Sequence, residues 1–153
     1  MNVICTESEG VLEITLNRPS VNAINMALSQ ELGDIFARYR ETEELRCAIV
    51  TGQGERAFSA GWDLKEAALE GADESDDYGV GGFAGLTNVF DLNKPVIAAI
   101  NGLAIGGGLE LTLACDLVVA AEHAYFSLPE ASVGVVADAG GVQRLPKRVP
   151  LNV

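Results

Sequence analysis

Hydrophobic and polar residues alternate in the first part of the chain and then change to a helical spacing. The alternation in Val11–Leu16, with a short polar turn before it, predicts a β-hairpin formed by residues 2–6 and 11–17. Asn25 is a residue type that favours helix N-caps, and apolar residues recur after it at helical spacing as far as Arg40. We therefore predict a hairpin followed by an amphipathic helix.

The rest of the chain shows short apolar runs, glycine-containing turns and helical segments in alternation. We predict strands at 47–51, 96–100, 117–121 and 125–127, a strand-like run at 57–61, and helices at 64–69, 83–90, 107–114 and from 140 or 141 to 148. Strands that alternate with helices indicate an α/β fold with much parallel pairing. The run 96–115 is apolar enough to resemble a membrane span, but Asn101, Glu110 and several glycines interrupt it. We interpret it as a buried strand, a turn and a helix.

Residues 70–82 differ from the rest of the chain in composition. Five acidic residues, at positions 70, 73, 74, 76 and 77, are followed by glycines at 79, 81 and 82. A solvated surface loop and a mobile lid over a pocket are both compatible with this pattern.

Composition excludes several classes of function. Ten basic residues stand against 22 acidic ones, for a net charge of −12, which argues against binding to nucleic acid or to an anionic membrane. The three cysteines have no C-x-x-C spacing and predict free core thiols, and the N-terminus lacks the features of a signal peptide. We therefore expect a cytoplasmic protein. A single histidine leaves little basis for a zinc site or a Ser-His-Asp triad.

The candidate chemistry lies in two glycine turns and two glutamates. The turns 60–62 and 106–108 each follow a strand and precede a helix, where backbone N–H groups without helical partners can hold an oxyanion. Glu110 lies in the first turn of an otherwise apolar helix, either as a functional carboxylate or as one that bonds its own first turn. Glu130 follows Pro129 at a predicted helix start, where glutamate is also common for structural reasons. Asp63, Lys65 and Asp116 are interpreted as capping or ion-pairing residues.

Four segments in order carry a resemblance to a known family: 57–66, 94–102, 106–110 and 129–134, continued by 140–146. Together they resemble the crotonase (enoyl-CoA hydratase/isomerase) superfamily. The resemblance implies an α/β fold, a spiral of β-β-α units, with residues 1–153 forming the core domain. It also implies that a C-terminal helical region, which covers the active site and builds a trimer, is absent from this chain.

Carried over residue by residue, the resemblance implies roles at the site. The backbone N–H groups of Trp62 and Gly107 would form the oxyanion hole, and Glu110 and Glu130 would be the catalytic pair. The residues that would contact the substrate and its CoA part are Ala60, Trp62, Asp63, Leu64, Lys65 and Gly107. The family's hydratases use no metal and no separate cofactor, since coenzyme A is part of the substrate.

Within this superfamily, segments 61–65 and 81–87 and Asp138 most resemble the members that interconvert crotonobetainyl-CoA and carnitinyl-CoA. Trp62, Asp138 or an acidic residue of 70–77 would then recognise the trimethylammonium group. A general short-chain enoyl-CoA hydratase and an inactive CoA-binding fragment are the alternatives. The resemblance further implies a homo-oligomer, a trimer or a dimer of trimers in the full-length family.

Overall fold

Two β-sheets and the helices that connect them form the structure, a computed structural model that describes residues 2–70, 77–150 and 152. The strands are β1 (Val3–Ser8), β2 (Val11–Leu16), β3 (Cys47–Gly52), β4 (Ala57–Ser59), β5 (Val96–Ile100), β6 (Leu103–Ile105), β7 (Leu117–Ala120) and β8 (Tyr125–Ser127). The α-helices are α1 (Met26–Glu41), α2 (Leu64–Glu70), α3 (Gly107–Ala114) and α4 (Gly141–Arg144), and single 3₁₀ turns lie at Phe83–Gly85, Glu130–Val133 and Leu145–Lys147.

From β3 onward, successive strands go alternately to the two sheets, whereas β1, β2 and β3 all belong to the first. The first sheet has the order β1-β2-β3-β5-β7, antiparallel only between β1 and β2, and the second has the parallel order β4-β6-β8. From β3 onward the chain therefore places one strand in each sheet, forms a helical segment, and repeats. This arrangement confirms the α/β spiral of β-β-α units.

The hairpin and the first helix are confirmed. The Asn25 side chain accepts a hydrogen bond of 2.9 Å from the backbone N–H of Leu28, as expected of an N-cap. The apolar face of α1 buries Leu32, Phe36 and Tyr39 completely or almost so, against a core to which both strands of the hairpin contribute. The spacing of apolar residues was sufficient to locate this helix because one face alone is buried.

The predicted helix at 83–90 is wrong. Only the single turn Phe83–Gly85 is helical, and Ala84 within it has a positive φ of 53°. A Cβ placed on Gly85 would lie 2.3 Å from the backbone N of Gly33, so this segment is packed directly against α1. The close tertiary contact, together with glycines that permit positive φ, replaces the helix by an irregular turn.

The strand β6 was not predicted, because Leu103–Ile105 lies between glycines and was interpreted as part of a turn. Three apolar residues are too few for a periodic pattern, and pairing with β4 and β8 defines the strand.

Other expectations have mixed outcomes. All three cysteines are free, but only Cys115 is buried, so the prediction of core thiols is wrong for the exposed Cys5. In the described part of the chain, no helix is long and apolar enough to cross a membrane. The acidic segment falls mostly on 71–76, outside the described residues, so the choice between a surface loop and a lid stays a prediction.

Candidate active site

The two glycine turns are in direct contact. They follow β4 and β6, which are parallel neighbours, so both turns leave the second sheet at the same edge. A Cβ placed on Gly61 would lie 2.6 Å from the backbone N of Gly107 and 2.6 Å from the carbonyl oxygen of Ile105. Because Gly61 also has a positive φ of 80°, only glycine allows this approach. The structure thus brings the two predicted turns together.

Each turn leaves a backbone N–H group without an acceptor. Ile24 pairs with the first turn as in a parallel sheet: its N–H donates to the Gly61 carbonyl (2.7 Å), and its carbonyl accepts from the Asp63 N–H (2.8 Å). In such a pair the residue between the two bonded groups points its own N–H away from the neighbouring strand. The Trp62 N–H is therefore directed away from Ile24. Gly107 is the first residue of α3, where N–H groups have no intrahelical acceptor. Among the described residues, neither amide donates a hydrogen bond.

The ring of Phe83 covers the second turn. A Cβ on Gly107 would lie 2.5 Å from Cε1 and Cζ of this ring, which packs against the core. An aromatic wall beside unpaired N–H groups lowers the local dielectric and strengthens any hydrogen bond that they donate. The sequence pattern predicts Phe83 only as part of a helix at 83–90, and nothing in it connects this residue with the second turn, which is distant along the chain.

Glu110 lies in the first turn of α3 and is 4% exposed. Its Oε1 accepts a hydrogen bond of 2.9 Å from the Gly141 N–H, so it is held by α4 and not by its own first turn. Burial is the largest influence on this carboxyl and raises its pKa; the Gly141 N–H opposes the shift, and the charges of Glu130 and Asp138 add to it. Glu110 therefore retains a proton more readily than an ordinary glutamate.

Glu130 reaches the same place from the end of the second sheet. It is the first residue of a 3₁₀ turn after β8, and its Oε1 lies 2.8 Å from the position that a Cβ on Gly106 would take. Its Oε2 is buried and has no hydrogen-bond partner in the part of the chain that the structure describes. An unpaired buried oxygen is costly, and such an oxygen in a native structure calls for a functional explanation.

The remaining predicted residues border this centre. Asp63 forms an ion pair of 3.0 Å with Arg18 and accepts from the Glu66 N–H, which confirms its interpretation as a capping and ion-pairing residue. Although burial opposes the shift, these hydrogen bonds lower the pKa of Asp63. Trp62 and Ala60 are half-buried, whereas Leu64 and Lys65 are exposed at the start of α2. These five predicted contact residues lie in one short segment, 60–65, at the first glycine turn and the start of α2.

One cavity of the structure is separate from this centre, and the structure shows no metal-binding cluster in the described ranges. A cavity of about 380 Å³ lies near the C-terminal end of α3, and none of the predicted site residues lines it. Within the described ranges, no group of three or more His, Cys, Asp or Glu side chains is arranged to hold a metal ion.

Comparison with known proteins gives close relatives. The family profile described as enoyl-CoA hydratase/isomerase matches residues 6–153. The chain is 59% identical over 145 residues to a carnitinyl-CoA dehydratase of Proteus mirabilis and 57% identical over 145 residues to that of Escherichia coli K12. Each alignment covers 95% of this chain and 55% of the relative, so the chain spans about half the length of these relatives.

Solved structures give the same result. A carnitinyl-CoA dehydratase from Mycobacterium avium superposes with a TM-score of 0.90 at 43% identity, covering 99% of this chain and 59% of that one. An enoyl-CoA hydratase from Bacillus anthracis superposes with a TM-score of 0.84 at 42% identity, covering 96% of this chain and 58% of that one.

Proposed function

The chain belongs to the enoyl-CoA hydratase/isomerase family, and from that premise we propose that it carries the centre of an acyl-CoA hydro-lyase that reversibly hydrates a 2-enoyl-CoA thioester. The observation that supports this most strongly is the contact of the two glycine turns beside Glu110 and Glu130. It combines two unpaired N–H groups with two carboxylates, the groups needed to stabilise an oxyanion and to move protons beside it.

In the proposed mechanism the thioester oxygen accepts hydrogen bonds from the Trp62 and Gly107 N–H groups. Glu110 takes a proton from water as the water oxygen forms a bond to Cβ, and the electron pair of the double bond moves toward the thioester oxygen. Glu130 then gives its proton to Cα, and proton transfer from Glu110 restores the starting state. Two preorganised donors stabilise the developing enolate by about 3 kcal/mol each.

Both carboxyls of the site have surroundings suited to proton transfer. Burial and neighbouring negative charge raise the pKa of Glu110, which makes it a stronger base toward water than an exposed glutamate. The buried Oε2 of Glu130 has no partner among the described residues, which leaves it able to exchange a proton with substrate. Two carboxyls at one site function best in unequal protonation states.

The experiment that tests the proposal is hydration of crotonyl-CoA and crotonobetainyl-CoA, followed by loss of the enoyl-thioester absorbance. We expect E110Q and E130Q each to lower kcat by about 10²–10⁴-fold. E122Q, the same change at an exposed position in the β7–β8 connection, is the matched control and should retain wild-type turnover. Turnover that survives both site substitutions would contradict the proposal.

For the substrate we propose the crotonobetainyl-CoA and carnitinyl-CoA pair. The half-buried Trp62 and the exposed Asp138, whose charge reaches Glu110, offer an aromatic face and a negative charge to a trimethylammonium group. In the described part of the chain, no basic side chain forms an ion pair with Glu110, Glu130 or Asp138. The acidic residues at positions 73, 74 and 76 lie outside the described ranges. Crotonobetainyl-CoA bound no more tightly than crotonyl-CoA would exclude this specificity.

A general short-chain enoyl-CoA hydratase is the second candidate, favoured by the similarity to the enoyl-CoA hydratase from Bacillus anthracis. The ratio of kcat/KM for the two substrates decides between the candidates.

We further propose that copies of the chain associate through β7 and β8, whose exposed apolar side chains include Leu117, Val119 and Tyr125. Sedimentation velocity would show a single monomeric species if this part of the proposal is wrong.

A further inference from the structure

The orientation of one peptide group decides where the Trp62 N–H points. The Gly61 carbonyl and the Trp62 N–H belong to the same planar unit and point in opposite directions. The carbonyl accepts a 2.7 Å hydrogen bond from the Ile24 N–H, so the Trp62 N–H is directed to the opposite side. Whatever holds Gly61 in place beside residues 22–24 therefore also aims this donor.

The hydroxyl group of Ser59 holds Gly61 from the other end. Ser59 is fully buried, and its Oγ donates to the carbonyl oxygen of Asn22 (2.7 Å) and accepts from the Gly61 N–H (3.0 Å). One hydroxyl thus joins the segment before α1 to the first glycine turn. Both hydrogen bonds lie in the low-dielectric interior, where a lost partner is costly.

Asn22 provides a fixed anchor for this hydroxyl. Its backbone has a positive φ of 50°, which asparagine tolerates better than most residues, and it is 1% exposed. Its side-chain amide donates to the carbonyl oxygens of Gln53 (3.2 Å) and Ala57 (3.0 Å) and accepts from the Arg18 N–H (3.1 Å). The residue that carries this carbonyl is therefore fixed by side-chain hydrogen bonds to three other residues.

We propose that Ser59 is a positioning residue for the proposed hydration: its hydroxyl, by joining the Asn22 carbonyl to the Gly61 N–H, holds the Gly61–Trp62 peptide so that the Trp62 N–H faces the thioester oxygen. The inference rests on the proposed function. Without the hydroxyl, the buried Gly61 N–H, which belongs to the preceding peptide, has no partner, and only the Ile24 side still holds Gly61. Gly61 can then shift, and the Trp62 N–H moves with it. Misplacement of a catalytic group by about 1 Å costs up to about 100-fold in rate.

The substitution S59A tests this, with S59C as the conservative variant because a thiol is a weak donor and acceptor. We expect S59A to lower kcat by about 10- to 100-fold while KM changes by less than about 3-fold, since the donor acts mainly in the transition state. S59C should fall between S59A and wild type. The control is T51V, which removes another hydroxyl, one that donates to the Ala99 carbonyl (2.9 Å) in the five-stranded sheet.

A second readout does not depend on turnover. Acetoacetyl-CoA forms an enolate whose ultraviolet absorbance reports how strongly a site stabilises the oxyanion. At saturation and fixed pH, we expect S59A to bind acetoacetyl-CoA with a smaller enolate fraction than wild type, and T51V to match wild type. Circular dichroism at the assay temperature ensures that only fully folded samples are compared.

The outcomes separate the two proposals. If S59A retains both kcat and enolate fraction within about 2-fold while E110Q loses turnover, Ser59 has no positioning role and the proposed function stands. If S59A and T51V lose activity equally, the effect is a general one of losing a hydroxyl hydrogen bond and the inference is overturned. If the folded wild-type chain neither turns over enoyl-CoA nor binds acetoacetyl-CoA, the proposed function fails and the inference with it.

Discussion

Two regions of the molecule are both rich in small and apolar residues, yet they differ in what covers them. At the contact of the glycine turns, Gly61 and Gly107 are buried, and an added Cβ would meet backbone or ring atoms within 2.6 Å. All four residues of β7 are exposed, as are Tyr125 and Phe126 of β8. β7 and β8 are the last strands of their sheets, so no further strand of the described chain pairs with their outer edges. Burial therefore follows position in the fold and not local composition.

The largest expected effect in this comparison is that of G61A. A Cβ at Gly61 meets two backbone atoms at 2.6 Å and sits at positive φ, so we expect the free energy of unfolding to fall by about 3 kcal/mol or more. Gly54 is the matched control, because it also has positive φ but no atom within 4 Å of an added Cβ. G54A should cost about 1 kcal/mol, measured by urea unfolding. Equal losses would mean that backbone strain, and not the close contact, dominates at Gly61.

A second prediction concerns the pH dependence of stability at the centre. The pKa of Glu110 is raised by burial from its ordinary value of 4.5, so the folded state binds its proton more tightly than the unfolded state does. Its contribution is fully present below the unfolded pKa and is lost as pH rises through the folded pKa. In E110Q, unfolding free energy should therefore decline less than in wild type as pH rises above 4.5, as urea titrations at several pH values would show.

Asp63 is the control for this prediction, because its pKa is shifted in the opposite direction from that of Glu110. The pKa of this carboxyl is lowered, since the hydrogen bonds from Glu66 and Arg18 outweigh burial. Its contribution is present above the ordinary value of 3.8 and is lost as pH falls through the folded pKa. D63N should therefore reduce the loss of stability toward acid. The same pH profile in E110Q and D63N would contradict the assignment of the two environments.

The smallest expected effect is on the outer strand. V119T on β7 should change unfolding free energy by less than about 0.5 kcal/mol, because Val119 is 65% exposed. The same substitution at the fully buried Val50 of β3 should cost about 2 kcal/mol, because its hydroxyl would lack a partner. If V119T loses as much unfolding free energy as the Val50 variant, and does so only at high protein concentration, association between copies of the chain covers β7.

Prediction from sequence succeeded where a pattern was long or a residue type had one strong local role. The hairpin, α1 with its Asn25 cap and α3 all fall into this group. It failed at 83–90, where contact with α1 overrides helix formation, and at β6, which is too short for a periodic signal. In the site, Phe83 and the Gly141 N–H that holds Glu110 were missed because both come from segments distant along the chain.

By itself the sequence determined the alternation of strands and helices, the place of the glycine turns and the presence of Glu110 in the first turn of an apolar helix. These follow from local preferences: apolar periodicity, capping and the conformational freedom of glycine. Tertiary packing is needed for the contact of the two turns, for the hydrogen bond from Gly141 to Glu110 and for the bridge that Ser59 forms between Asn22 and Gly61. Such contacts depend on which strands become neighbours in a parallel sheet, and that pairing joins segments tens of residues apart.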